Sequence, residues 1–255
     1  SLLSAMRYAE LQVTSNFSFL AGGSHPDELA ITAAALGLDA VAITDRNSLA
    51  GVVRAHVGAK KAGIRLVVGA RLDLQVEAVA EGQPGLSLLC FPTDRAAYGR
   101  LSELLTTGRR RAPKGDCWIT LEDVLHHDAG QIFVILPPDE CDGERDDEPD
   151  EAFAAQVAAL GRRWPGRCYL SGHYLYSGDD RRRLAHLAGL AQAANTPLIA
   201  TNDVHYHTPG RRPLQDVLVC IREHCTLAQA GFHLNANAER HLKTAEEMAR
   251  LFADY

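Results

Sequence analysis

The sequence predicts an α/β protein in which short strands alternate with helices around a closed (β/α)7 TIM-like barrel. Apolar stretches of strand length recur along the chain, and segments with apolar residues at helical spacing separate them. This alternation favours parallel βαβ units. A chain of 255 residues with about seven core strands suits a barrel better than an open sheet, although periodicity alone does not separate the two.

The predicted strands rest on buried apolar runs, as in AVAIT, and on alternating patterns, as in RLDLQVEAV. In chain order they cover residues 8–13, 40–44, 64–69, 71–79, 86–91, 132–136, 167–170 and 197–201. Segment 71–79 alternates like a half-exposed strand, so about seven of these count as core strands. The predicted helices rest on helical spacing and on end signals, such as Gly63 after the second helix. They cover residues 26–36, 48–62, 93–106, 120–127, 151–163, 179–194, 213–222 and 244–255.

The composition predicts a soluble globular domain. Hydrophobic residues make up 46% and charged residues 23%, which excludes a long disordered chain. No apolar stretch approaches the ~20 residues that span a bilayer, so a membrane protein is excluded too. Residues 1–7 are predicted to form an irregular N-terminal arm or an expression remnant, not a signal peptide, and residues 8–255 one domain. The six cysteines include no CxxC pair, which favours a reducing, cytoplasmic setting.

The charge is unevenly distributed. Residues 139–151 carry nine acidic side chains and one arginine, whereas the net charge of the whole chain is −6. Such a run is typical of a solvated loop, so the overall acidity says little about the functional face. Basic clusters at residues 109–114 and 181–183 could contact phosphate groups or lie on solvated helix ends.

Polar residues follow several predicted strands, at the end where a parallel barrel carries its function. Asp203 and His205 are two residues apart in an extended segment, so their side chains share one face. Together with Asp45, which follows the second strand, they are typical of a metal or acid/base site, or of hydrogen bonding alone.

Several segments resemble a known family. LGLDAVAITDRNSLAGVVRAHVGAKKAGIRLVVGARLDL, PLIATNDVHY and DVLVCI are similar to the polymerase-and-histidinol-phosphatase (PHP) domain at the N-terminus of bacterial C-family DNA polymerases. YAELQVTSNFSFLAG, SHPDEL and RRAPKGDCWITLEDV most resemble the error-prone branch, which serves translesion synthesis. The resemblance covers residues 8–255. It implies a distorted barrel that, in active members, holds up to three metal ions and hydrolyses phosphoesters.

At the motif positions of that family, this chain departs from the ligand pattern. Gln12 and Thr14 occupy the His-x-His positions, and Arg46 replaces the histidine of Asp-His after Asp45. Arg71 replaces the glutamate of Gly-x-Glu.

Few ligand positions are retained. His173 is a loose match to a later ligand, and only Asp45, Asp203 and His205 match well. Arginine stays protonated and is not a metal ligand. The resemblance therefore implies a vestigial site with no catalytic residue and no tightly bound metal, in which Asp45, His173, Asp203 and His205 are weak metal candidates. We expect Arg46 or Arg71 to take the place of the metals beside Asp45 or Asp203.

The resulting hypothesis is a non-hydrolytic structural or partner-binding domain of an error-prone DNA polymerase. Its expected partners are the polymerase body of the same chain, other damage-tolerance or replication subunits, and DNA through the full-length protein, which would use Mg²⁺; no membrane is expected. The amphipathic end of the chain, with Met248, Leu251 and Phe252 on one face, predicts a piece of a longer protein.

Two alternatives stay open. One is an active metal-dependent phosphoesterase or 3′–5′ proofreading exonuclease that uses substitute ligands such as His173, His207 or His233. The other is an unrelated barrel enzyme of the amidohydrolase type, which would have eight strands where about seven are counted here.

Overall fold

The computed structural model describes residues 6–75, 85–138 and 151–255. Most of the predicted N-terminal arm, the end of the predicted strand 71–79 and nearly all of the acidic run 139–151 lie outside these residues. Within them, no helix is long and apolar enough to cross a membrane.

Strands and helices alternate along the chain as predicted, with shifted ends. The strands are β1 Ala9–Glu10, β2 Ala40–Ile43, β3 Arg65–Val68, β4 Ala70–Asp73, β5 Ser87–Pro92, β6 Gln131–Leu136, β7 Cys168–Gly172 and β8 Leu198–Ala200. The helices are α1 Pro26–Ala35, α2 Val52–Ala62, α3 Arg95–Arg111, α4 Leu121–His126, α5 Glu151–Arg163, α6 Asp180–Ala193, α7 Arg212–Arg222 and α8 Ala245–Leu251. Short 3₁₀ turns cover Pro209–Arg211 and Gly231–His233.

The described strands form two sheets. β1, β2 and β3 pair in parallel, and β4 to β8 form a second sheet in sequence order. In the second sheet β6, β7 and β8 are parallel, but β5 runs antiparallel to both β4 and β6. The α/β class is therefore confirmed, whereas the prediction of parallel βαβ units throughout is wrong at β5.

The antiparallel pairing of β5 with β6 arises because two helices, α3 and α4, fold back between these strands. Arg111 near the end of α3 pairs with Asp123 in α4, and the Thr93 amide before α3 donates to the Gly130 carbonyl after α4 at 3.0 Å. The chain thus returns to the end of β5 from which it left, and β6 starts beside the last residue of β5. A single helix between β5 and β6 would instead have returned the chain to the start of β5, and the two strands would then be parallel.

The two sheets meet at two short bridges. Arg46, after β2, pairs with Arg71 in β4, and Val13, after β1, pairs with Val204, after β8. A continuous closed sheet is not formed by the described residues, so a complete barrel stays a prediction. The part of the chain that the structure describes contains eight strands where about seven core strands were counted, so the strand count does not separate this fold from that of an amidohydrolase.

Close packing of α1 on α2 supports the first sheet. Gly58 in α2 lies so near α1 that an added Cβ would be 2.7 Å from the Asp27 Cα. Behind the second sheet, Phe133 stacks on the fully buried Trp164 with ring centroids 4.0 Å apart. These two layers hold the strand ends, which carry the polar residues, in fixed positions.

Candidate functional site

The residues predicted from the strand ends lie at one end of the sheets, near the two bridges. The segment after β1 hydrogen-bonds to the segment after β8, since the Thr14 amide donates to the Val204 carbonyl and the Val204 amide to the Gln12 carbonyl, both at 2.8 Å. The Arg71 amide donates to the Asp45 carbonyl at 3.0 Å, which joins β4 to the end of β2. The backbone therefore joins the segments after β1 and β8 to each other, and the end of β2 to β4.

Asp45 is buried and is held by neutral donors. The Ser15 amide and the Ser18 hydroxyl donate to Oδ1, and the Ser15 hydroxyl donates to Oδ2, each at 2.8 Å. Only 1% of Asp45 is exposed. Burial raises the pKa of this carboxyl group, although the serine hydrogen bonds act in the opposite direction. Gly51 closes the site from α2, because an added Cβ there would lie 2.8 Å from Oδ2.

Asp203 is buried in a mixed network. The Gln12 side-chain amide donates to Oδ1 at 2.9 Å, and the Thr201 hydroxyl in turn donates to Gln12 Oε1 at 2.8 Å. Arg240 forms an ion pair with Oδ2. His205 Nε2 lies 3.6 Å from Oδ1, although the segment is not extended at Asp203 as the sequence predicted. Asp203 also has a positive φ of 43°, a conformation that aspartate adopts more readily than most residues.

The two arginines at former ligand positions contact a different carboxylate. Arg71 Nε lies 2.6 Å from Asp73 Oδ1, and Arg46 Nη1 lies 3.5 Å from Oδ2. The Ser87 hydroxyl also donates to Asp73, at 2.8 Å. Burial acts to raise the pKa of Asp73, but the positive charges of Arg71 and Arg46 outweigh it and hold the pKa below its usual value. We had expected Arg46 or Arg71 to pair with Asp45 or Asp203, but both arginines contact Asp73. The arginine that pairs with Asp203 is Arg240.

His173 follows β7 and is buried. Burial, together with the charges of Arg183, Arg240 and Arg71, holds the pKa of its imidazole well below the usual value. The side chain is therefore neutral at pH 7 and lies in a region of positive potential. Thr14 is buried as well, and its backbone amide donates to the Val204 carbonyl.

The donor set does not fit a multinuclear metal centre. Among residues 6–75, 85–138 and 151–255, no three His, Cys, Asp or Glu side chains are grouped so that they could hold an ion. The oxygens of Asp45 accept hydrogen bonds from serines, and those of Asp203 face Gln12 and Arg240. A divalent ion needs these lone pairs, and the surrounding arginines oppose its charge.

Of the three substitute ligands considered for an active enzyme, His207 and His233 lie near other side chains. His207 Nδ1 lies 2.7 Å from the Ser24 hydroxyl. The His233 side chain is 59% exposed and lies 4.0 Å from Glu223. Neither histidine is joined to Asp45 or Asp203 by these contacts.

Sequence reasoning missed several members of the site. Asp73 could have been found, because it is two residues from Arg71 in a strand and so shares its face. Ser15 and Ser18 lie in the strand-end segment but have no pattern that marks them as partners of Asp45. Arg240 lies in an irregular segment far along the chain from Asp203, and nothing local points to it.

The fold and the site agree with a match to the PHP domain model over residues 10–147. This chain belongs to the PHP domain family. The PHP chain is 52% identical over 245 residues to an error-prone DNA polymerase of Caulobacter vibrioides and 49% identical over 257 residues to one of Bradyrhizobium sp.. These matches cover 96% and 97% of this chain but only 21% of each relative, so the chain spans about a fifth of their length.

Two solved structures share the fold at low identity. A protein from Bifidobacterium adolescentis assigned as a metal-dependent phosphoesterase is 18% identical with a TM-score of 0.55, over 78% of this chain and 88% of that one. An amidohydrolase from Chromobacterium violaceum, with bound sulfate and no metal, is 17% identical with a TM-score of 0.57, over 78% and 87%. At this identity they support the PHP fold alone.

Proposed function

We propose that this chain is the PHP domain of an error-prone DNA polymerase and that the domain is structural, with no phosphoesterase activity of its own. The identity to error-prone polymerases over nearly the whole chain supports the first part. DNA synthesis, its Mg²⁺ requirement, DNA binding, a cytoplasmic setting and contacts with other damage-tolerance subunits then belong to the full-length protein, as part of the same proposal.

One observation carries the second part: the carboxylates that would bind metal are already engaged by protein donors. Asp203 faces the Gln12 amide and the Arg240 guanidinium, and the arginines at two former ligand positions contact Asp73. Metal-dependent hydrolysis needs an ion that activates water and stabilises the developing charge. Hydrogen bonds and ion pairs stand in place of the ion at these carboxylates. The residues therefore join the strand ends, and no metal-activated water is available as a nucleophile.

A hydrolysis assay tests the proposal. The full-length polymerase is incubated with single-stranded DNA, a nitrophenyl phosphoester and pyrophosphate, with Mn²⁺ or Zn²⁺ added, beside an authentic metal-dependent phosphoesterase. We expect no turnover above a protein-free control. Chelator-sensitive turnover that disappears in Asp203→Ala would favour the active phosphoesterase or proofreading exonuclease instead.

A further inference from the structure

Helix α7 exposes an apolar stripe. Leu214, Val217 and Ile221 are three and four residues apart, so they share one face, and they are 44%, 40% and 53% exposed. The opposite face, which packs on the domain, holds Gln215 at 2% exposure beside Val219. A surface helix normally turns its glutamine outward and its leucine and isoleucine inward. The arrangement in α7 indicates that its outer face is also meant to be covered.

Two segments that are hydrogen-bonded to the ends of α7 carry further exposed aromatic side chains. The Arg212 guanidinium donates to the Asn235 carbonyl at 2.8 Å, which ties the segment carrying Phe232 to the start of α7. Arg222 donates to the Leu20 carbonyl at 3.3 Å, which ties the segment carrying Phe19 to its end. Phe232 is 100% exposed and Phe19 is 85% exposed. We call these five side chains the α7 surface: Phe19, Leu214, Val217, Ile221 and Phe232.

The charges at the two ends of α7 pair with one another. Arg212 lies 3.4 Å from Asp216, and Arg222 lies 2.8 Å from Glu223. The surface is therefore apolar with a neutralised polar rim, which is the composition of a protein interface rather than of a nucleic-acid or membrane contact.

The size of the surface favours a tethered occupant. Five side chains cover less than the roughly 800 Å² per partner that stable complexes of separate molecules bury. A segment of the same chain binds at a high effective concentration and needs far less area. The relatives of this chain are about five times as long, so each provides a large covalently linked neighbour.

We propose that the α7 surface is the face on which this domain packs against the remainder of the polymerase chain. The inference rests on the proposed function, because it requires the polymerase body. It adds the location of the contact and its apolar chemistry. A second copy of the chain or a separate subunit on this face is a competing outcome of the experiments below.

Site-specific cross-linking in the full-length polymerase identifies the occupant. A photoreactive benzophenone amino acid replaces Val217 in one variant and Val57, on the outer side of α2 at 47% exposure, in the control. We expect position 217 to cross-link within the monomer to a peptide outside these 255 residues, and position 57 to give no such product. A product of twice the monomer mass, a cross-link to a separate protein, or equal results at the two positions would overturn the proposal.

A matched pair of substitutions measures the contribution of the contact. Val217→Asp and Val57→Asp introduce the same charge at similarly exposed valines. In the full-length protein we expect Val217→Asp to lower the melting temperature by at least about 2 °C and to increase proteolytic release of the domain, with no change for Val57→Asp. Equal shifts in the two variants would contradict the interface. Phosphoester turnover would overturn the proposed function without altering the cross-links, so the two failures are distinguishable.

Discussion

Replacing Asp203 with asparagine tests whether the former metal site now contributes to stability. The substitution keeps the shape of the side chain and removes the charge that Arg240 faces. It also changes the acceptor for the Gln12 amide, which donates to Oδ1 at 2.9 Å. We expect Asp203→Asn to lower the free energy of unfolding.

The magnitude follows from the burial of the pair. Removing one member of a buried ion pair costs about 3–5 kcal/mol. The Asp203 side chain is 4% exposed but that of Arg240 is 19% exposed, so water offsets part of the loss. We therefore expect about 2–3 kcal/mol, at or just below the lower limit of that range. At about 2–4 °C per kcal/mol for a domain of this size, the melting temperature should fall by roughly 5–10 °C.

A double-mutant cycle isolates the interaction. Chemical denaturation of Asp203→Asn, Arg240→Gln and the double variant should give a coupling free energy above about 1 kcal/mol. Asp39→Asn is the control, because Asp39 contacts Arg7 at 3.0 Å on the surface and its loss should cost less than about 1 kcal/mol. The melting temperature of the unmodified protein should not change when a chelator is added.

The opposite pattern would refute this reasoning. Additive effects of the two substitutions would mean that the pair does not stabilise the fold. A fall in melting temperature with chelator, restored by Zn²⁺ or Mn²⁺ and absent in Asp203→Asn, would mean that Asp203 still binds metal.

Two further predictions concern stability. Burial raises the pKa of Glu10 from 4.5 to about 7, so between these pH values the folded state keeps a proton that the unfolded state has released. The free energy of unfolding should therefore fall by up to about 3 kcal/mol as the pH rises from 4.5 through 7. Denaturation at pH 5 and pH 8 should show this fall in the unmodified protein and little of it in Glu10→Gln. Glycine-to-alanine changes in two helices should have opposite signs: Gly189→Ala in α6 meets nothing within 4 Å and should stabilise by roughly 0.5–1 kcal/mol. Gly58→Ala in α2 meets the Asp27 Cα at 2.7 Å and should destabilise by about 1–3 kcal/mol, so equal signs in thermal melts would contradict the close packing of α1 on α2.

The sequence predicted the order and type of the elements because local patterns determine them. Helix α5 was predicted with the bounds that it has, and Gly63 ends α2 in the left-handed conformation, with φ of 73°. Strand direction was not predictable in the same way. Whether one helix or two lie between β5 and β6 depends on how α3 and α4 pack on the core of the second sheet, and periodicity carries no information on that packing.

At the site, the positions were predictable and their partners were not. Asp45, Asp203 and His205 were identified from strand ends, where the topology brings side chains together. The partner of Asp203 depends on the path of an irregular segment that ends in Arg240, and the partners of Asp45 depend on a loop that folds back over it. Such long-range contacts have no local pattern.

A single substitution should not restore the metal site, because protein donors already contact all three carboxylates. Asp45 relies on serine donors, Asp203 on Gln12 and Arg240, and Asp73 on Arg71 and Arg46. Changing Arg71 to the glutamate implied by the family motif would place a new carboxylate beside Asp73 and remove the cation 2.6 Å from it. The other two networks would still occupy their oxygens, so the variant would lose stability without gaining a complete set of ligands. Recovery of metal binding therefore requires several simultaneous changes, each destabilising by itself, because the interactions that now hold the strand ends together use the same lone pairs that an ion would need.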